Sequence, residues 1–95
     1  MSVVTIYTTK FCGYCIMAKR LLKSRGIAYE EINISEKEIG EQNLLRTWLI
    51  EASGQRTVPQ IFIHGISIGG FTELSTLDRQ KKLRVLLEQK GSTET

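Results

Sequence analysis

The chain has 95 residues, which is the size of one small domain. Its hydrophobic fraction of 41% and charged fraction of 24% are ordinary for a folded globular protein and argue against disorder. The net charge is only +3 and basic residues never run beyond two in a row, so we expect no nucleic-acid partner. No stretch approaches the ~20 apolar residues that span a bilayer, so we expect no membrane contact. Two cysteines are too few for a disulfide-rich secreted scaffold, which favours the cytoplasm.

The first half of the chain alternates strand and helix patterns. Residues 3–8 are β-branched and aromatic and predict a buried strand. After a connection over 9–15, apolar residues recur at helical offsets from Ile16, and Gly26 is a typical helix end. Residues 28–34 predict a second strand. The capping-box spacing at 35–38 predicts that a second helix starts at Ser35, with a first turn that is separate or frayed because Gly40 follows, and Gly54 ends it.

The second half predicts a hairpin and a helical end. Residues 59–63 and 66–68 flank His64-Gly65, a short hairpin signal, and leucines between 74 and 87 predict one or two helices. The order is therefore βαβαββα. Its first βαβ unit should form a parallel pair, to which the hairpin adds antiparallel strands. We expect one domain over 1–90 and a flexible tail over 91–95.

The sharpest signal is the cysteine pair in Cys12-Gly13-Tyr14-Cys15. It lies between a strand and a helix, which places Cys12 at or just before the helix N-terminus, where unpaired N–H groups point at its sulfur. Such donors stabilise a thiolate. Cys15 lies on the same face but deeper in the first turn, so Cys12 is predicted to attack a disulfide and Cys15 to resolve the product.

Three simpler interpretations compete with redox chemistry. A structural disulfide would close so short a loop that it would constrain the unfolded chain very little. A zinc site needs four ligands, and the chain offers only Cys12, Cys15 and His64 as soft donors. The pair could also be inert and packed in the core. We predict thiol–disulfide exchange.

Three motifs in order give the chain a resemblance to the dithiol glutaredoxins, within the thioredoxin-fold superfamily. They are Lys10-Phe11-Cys12-Gly13-Tyr14-Cys15, Thr57-Val58-Pro59-Gln60-Ile61-Phe62-Ile63 and Ile68-Gly69-Gly70-Phe71, and the resemblance covers roughly residues 3–88. It implies an α/β fold with a four-stranded mixed sheet flanked by helices. It also implies glutathione as co-substrate, and disulfide-containing or glutathionylated proteins as partners.

The resemblance also implies which residues bind glutathione. Lys10 and Tyr14 would lie beside the tripeptide, and Arg46 would meet the glycyl carboxylate. Thr57, Val58 and Pro59 resemble the cis-proline segment of the family, whose backbone pairs with the cysteinyl part. Gly70, Phe71 and Thr72 would offer N–H groups at a helix start to the γ-glutamyl carboxylate, and Glu73 would contact the glutamyl amine.

Each of these binding residues also has a simpler interpretation. Lys10, Tyr14 and Arg46 could be solvated surface residues, and Thr72 could be only a helix N-cap. Pro59 could begin a strand with a trans bond.

The chain departs from the common pattern at Gly13, where many dithiol members have proline, which fixes φ. This motivates a second hypothesis, a module that binds or transfers a [2Fe–2S] cluster. Cys12 from each of two chains and two glutathione thiolates would then supply the four ligands. The chain itself is expected to be a monomer unless it carries such a cluster. A third hypothesis is a thioredoxin-like protein that a flavoenzyme reduces.

Overall fold

The computed structural model describes residues 3–88 and contains four strands and four α-helices in that range. In chain order they are β1 (Val4–Thr8), α1 (Gly13–Ser24), β2 (Glu30–Asn33), a 3₁₀ turn (Ile34–Glu36), α2 (Ile39–Ser53), β3 (Gln60–Ile63), β4 (Ile66–Gly69), α3 (Phe71–Arg79) and α4 (Leu83–Glu88). The tail predicted over 91–95 lies outside the described residues, so it and the domain limits stay predictions.

The strands form one mixed sheet in the order β2-β1-β3-β4. β1 pairs in parallel with β2, with Thr5 opposite Glu30, and antiparallel with β3, with Ile6 opposite Ile61. β3 and β4 form the predicted antiparallel hairpin. The fold class predicted from the sequence is therefore confirmed: an α/β domain with a four-stranded mixed sheet flanked by helices.

Alternation along the two central strands creates a core on each face of the sheet, because successive side chains point to opposite faces. Ile6 and Ile61 pack with α1, α3 and α4, whereas Tyr7 and Phe62 pack with Leu49 of α2. Both central strands are buried on both sides, which explains their nearly continuous apolar sequences. The buried members of the first cluster are Val4, Ile6, Ala18, Leu22, Ile61, Ile63, Leu74 and Leu83.

The predicted start of the second helix is wrong. Ser35 lies in the separate 3₁₀ turn, and α2 begins only at Ile39. Asn33 caps that turn by accepting a hydrogen bond from the N–H of Ser35, and the Ser35 hydroxyl accepts one from the N–H of Lys10. The serine therefore joins the turn to the loop after β1. The expectation that the first turn would be separate is confirmed.

One ion pair attaches α1 to β2, and a second attaches its C-cap residue Arg25 to α3. Lys19 lies 3.0 Å from Glu31 on β2, and the same carboxylate accepts a hydrogen bond from the buried hydroxyl of Thr8 at 2.7 Å. Burial by itself raises the pKa of Glu31, but the Thr8 and Lys19 hydrogen bonds prevail and lower it. Arg25 binds Asp78 of α3 through two nitrogens. Within residues 3–88, no helix combines the length and apolar character needed to cross a bilayer.

Candidate active site

Cys12 occupies the N-cap position of α1, as the sequence predicted. Its backbone is extended, and its sulfur accepts a hydrogen bond from the N–H of Cys15 at 3.1 Å. The first turn of α1 contains no acidic residue, so no side chain there opposes the positive end of the helix dipole. The helix begins at Gly13, three residues before the apolar pattern starts, because Cys12 caps it. The Cys12 sulfur thus occupies the acceptor position of a helix N-cap, with a backbone N–H of the first turn directed at it.

Cys15 has a different environment, although it is only three residues away. Its side chain is buried, with 2% exposure, whereas Cys12 is partly exposed, and both are free thiols. Burial, followed by the hydrogen bond and charge of the Cys12 sulfur, raises the pKa of Cys15 to about 12. A backbone hydrogen bond from Thr9 and the charge of Lys19 act in the opposite direction on that pKa. Cys15 is thus a protected, neutral thiol beside an accessible sulfur.

A cleft of about 370 Å³ contains most of the predicted binding residues, and this volume is within the range of small-ligand sites. Its walls are Tyr14, Gln55, Thr57, Val58, Pro59, Gly70, Phe71, Thr72 and Glu73. The Cys12 thiol lies beside the wall of the cleft, because it donates a long hydrogen bond of 3.8 Å to the carbonyl of Val58. The Val58–Pro59 bond is cis, as the family segment implied. The fold thus brings three distant stretches of sequence to one place.

The two helix starts meet across the cleft. The ring of Tyr14 stacks on that of Phe71, with centroids 6.1 Å apart and planes 28° apart. α3 is capped by Gly70, whose N–H donates to the Glu73 carboxylate at 2.8 Å, so Thr72 lies inside the helix and is not its N-cap. The N–H groups of the first turn of a helix have no partner within it, and the residues of this first turn, Phe71, Thr72 and Glu73, line the cleft.

Two predicted binding residues do not line the cleft. Lys10 and Arg46 are both exposed, the first in the loop before Cys12 and the second on α2. Their roles stay predictions. Conversely, Gln55 lines the cleft and was missed by the sequence reasoning, because a polar residue after a helix-ending glycine carries no signal of its own. Its carbonyl accepts a hydrogen bond from the buried side chain of Gln60, which attaches the loop to β3.

Gly69 has a backbone conformation that side chains rarely adopt, with φ of 106°, and an added Cβ would lie 2.7 Å from the Glu73 side chain. We expect Gly69→Ala to lower the free energy of unfolding by about 1–3 kcal/mol and to displace the Glu73 carboxylate. Denaturant unfolding measures the change. Gly40→Ala is the matched control, because Gly40 lies inside α2 with no atom within 4 Å of the added Cβ. It should stabilise the protein by about 0.5–1 kcal/mol, and equal losses in the two variants would contradict the prediction.

Among residues 3–88 there is no cluster of three or more histidine, cysteine, aspartate or glutamate side chains that could hold a metal ion. In that part of the chain Cys12 and Cys15 have no third side chain of these types beside them, whereas a zinc site needs four ligands. The interpretation of the pair as inert core residues is disfavoured, because Cys12 is partly exposed.

The fold and the paired thiols define a thiol–disulfide oxidoreductase of the thioredoxin-fold class. The Glutaredoxin family model matches residues 4–68. The chain is 44% identical to the glutaredoxin of Neisseria meningitidis serogroup A over 90 residues, covering 92% of this chain and 98% of the relative. It is 38% identical to glutaredoxin 1 of Rickettsia conorii over 90 residues, covering 95% and 85% of the two chains.

Solved structures agree with these relatives. A buckwheat glutaredoxin–glutathione complex superposes with a TM-score of 0.84 at 30% identity, covering 90% of this chain and 76% of that one. The chain therefore belongs to the glutaredoxin family, which confirms the resemblance noted from its motifs.

Proposed function

We propose that this protein is a glutathione-dependent oxidoreductase that reduces glutathionylated proteins and protein disulfides. The observation that supports this most is the position of the Cys12 sulfur. It accepts a hydrogen bond at the N-terminus of α1 and lies beside a cleft whose walls include eight residues predicted to bind glutathione. The buckwheat relative was solved as a glutathione complex, which supports the same ligand for this cleft.

The cleft has chemistry suited to a charged tripeptide. Glutathione carries two carboxylates and one ammonium group at neutral pH. The first N–H groups of α3 suit a carboxylate, and the Glu73 carboxylate can accept a hydrogen bond from an ammonium group while it holds the N–H of Gly70. The Val58 backbone lies beside the Cys12 sulfur, where it can pair with the main chain of the ligand.

In the monothiol route, the Cys12 thiolate attacks the glutathionyl sulfur of a protein–glutathione disulfide. The Cys12–glutathione disulfide forms, and the protein thiolate leaves and takes up a proton. A second glutathione thiolate then attacks the bound glutathionyl sulfur, so that glutathione disulfide is released and the Cys12 thiolate returns. In this second step the departing Cys12 sulfur already has a hydrogen-bond donor in place, the N–H of Cys15 at 3.1 Å.

In the dithiol route, Cys12 attacks one sulfur of a protein disulfide and Cys15 resolves the resulting mixed disulfide. The Cys15 thiolate attacks the Cys12 sulfur, the protein leaves as a dithiol, and a Cys12–Cys15 disulfide remains. Two glutathione molecules reduce that disulfide and end as glutathione disulfide. The closeness of the two residues supports this route, since the Cys12 sulfur lies 3.1 Å from the Cys15 nitrogen and the two side chains share a hydrogen bond.

The test is a comparison of reductants on one substrate. A glutathionylated peptide is supplied with either glutathione and its reductase or a thioredoxin-type flavoenzyme. We expect glutathione to sustain turnover. Turnover with the flavoenzyme alone would contradict the proposal and favour the thioredoxin-like hypothesis.

The second candidate function is the binding or transfer of a [2Fe–2S] cluster between two chains. The observation that favours it is the open surface beside the reactive sulfur, since an added Cβ at Gly13 would meet no atom within 4 Å. One chain offers only one partly exposed thiolate ligand, Cys12, so a second chain and two glutathione molecules would have to complete the set. A brown, dimeric, glutathione-dependent species after anaerobic purification would support this function, and a colourless monomer after reconstitution would contradict it.

A further inference from the structure

Phe11, the residue directly before Cys12, combines an exposed side chain with an unfavourable backbone conformation. Its ring is completely exposed, at 101% of the reference area, so it contributes no burial to folding. Its φ of 55° lies in the left-handed region, which is uncommon for any residue with a side chain and an outlier for a bulky one. Glycine or asparagine would adopt this backbone conformation more readily. Neither packing nor backbone preference explains a phenylalanine here.

Phe11 belongs to a set of exposed apolar side chains that lie close to Cys12 in sequence. Tyr14, Ile16 and Met17 follow Cys12 on α1 with exposures of 62%, 49% and 44%. Phe11 is not among the residues that line the proposed glutathione cleft. A ligand held in that cleft therefore leaves this ring free for a different contact.

We propose that Phe11 determines specificity for protein substrates by contacting an apolar side chain next to the substrate cysteine. This inference rests on the proposed function. In the monothiol route the Cys12 sulfur bonds to the glutathionyl sulfur while the substrate cysteine sulfur, which is joined to it, leaves. The residues that flank the substrate cysteine therefore come close to the neighbour of Cys12 in sequence. Covering an exposed aromatic ring with an apolar side chain removes apolar surface from water and so stabilises the complex. Backbone strain retained beside a reactive group is also a feature of functional sites.

The partner of the Phe11 ring is thus the polypeptide part of the substrate. Glutathione contributes the same tripeptide in every mixed disulfide, so its contacts cannot distinguish one substrate protein from another. Phe11 should therefore affect polypeptide substrates with apolar flanking residues and leave small mixed disulfides unaffected.

The experiment compares Phe11→Gly and Phe11→Asn, which both suit a positive φ, with Phe11→Tyr, which keeps the ring. The substrates are a glutathionylated peptide with leucines beside its cysteine, the same peptide with serines there, and the mixed disulfide of cysteine and glutathione. We expect kcat/KM for the leucine peptide to fall about fivefold to tenfold in the glycine and asparagine variants. The values for the serine peptide and the small disulfide should stay within about twofold, and Phe11→Tyr should retain activity on all three.

Unfolding of the same variants separates this contact from a structural role. Phe11→Gly should unfold at a denaturant concentration no lower than the parent chain, since it loses no buried area. Equal losses on all three substrates, or no loss on the leucine peptide, would overturn the inference. A change in the oligomeric state of Phe11→Gly without a change in kcat/KM would also overturn it and assign the ring to contact with a second copy. If the parent chain turns over none of these substrates with glutathione, the proposed function itself fails, which is a distinguishable result.

Discussion

Replacing Cys12 with serine is expected to abolish both reductase routes, with a loss of at least about a thousandfold in kcat/KM. The hydroxyl group of serine does not ionise at neutral pH and cannot form the mixed disulfide on which both routes depend. The N-cap geometry itself should survive, because serine is a favoured N-cap residue and can accept the N–H of Cys15. Reduction of a glutathionylated peptide measures the monothiol route, and reduction of a protein disulfide measures the dithiol route.

Cys15→Ser is the matched control, because it also replaces a sulfur by an oxygen but does so at the buried cysteine. The sulfur of Cys12 accepts its hydrogen bond from the backbone N–H of residue 15, which the substitution keeps. This variant should therefore retain deglutathionylation and lose the dithiol route. Full activity of the Cys12→Ser protein on the glutathionylated peptide would remove Cys12 from its assigned role, and total loss in Cys15→Ser would show that both sulfurs are required in the monothiol route.

The sequence predicted the fold well where local pattern and burial agree. β1 and β3 are buried on both faces, so their apolar character is strong and their type is clear. The junction before α1 was also predicted correctly, because an N-cap needs only a short-range arrangement of one side chain and the next three residues. The glutathione-binding residues were inferred from family motifs, and eight of them line one cleft although no periodicity relates their segments.

The features that the sequence did not predict depend on contacts between distant segments. Ser35 has the spacing of a capping box, yet its hydroxyl accepts a hydrogen bond from the backbone N–H of Lys10, 25 residues away. Gln55 lines the cleft, and its carbonyl accepts a hydrogen bond from Gln60 of β3, a contact that its own position after a helix does not indicate. The left-handed backbone of Phe11 reflects how the loop must turn between β1 and α1, and phenylalanine gives no local indication of it.

The burial of Cys15 leads to the second large expected effect, a steep pH dependence of the dithiol route. Only the thiolate attacks, and a pKa of about 12 in the dithiol protein leaves Cys15 neutral at physiological pH. Once Cys12 is in a mixed disulfide, its charge no longer raises the pKa of Cys15, but burial, the largest cause, still does. The attacking fraction therefore grows about tenfold for each pH unit, rising with pH, and continues to grow beyond ~8.5, where a free thiol is already half ionised.

The measurement starts from the protein carrying glutathione on Cys12, with no other thiol present. Attack of Cys15 on the Cys12 sulfur then releases one glutathione, which rapid acid quenching quantifies. We expect this rate to rise with pH and to keep rising beyond ~8.5, where a free thiol is already half ionised. In Cys15→Ser the glutathione should remain bound until free thiol is added, and the rate of that reaction should flatten above ~8.5. A plateau below pH 8.5 in the parent chain would contradict the prediction, because the burial that protects Cys15 would then not govern its ionisation during turnover.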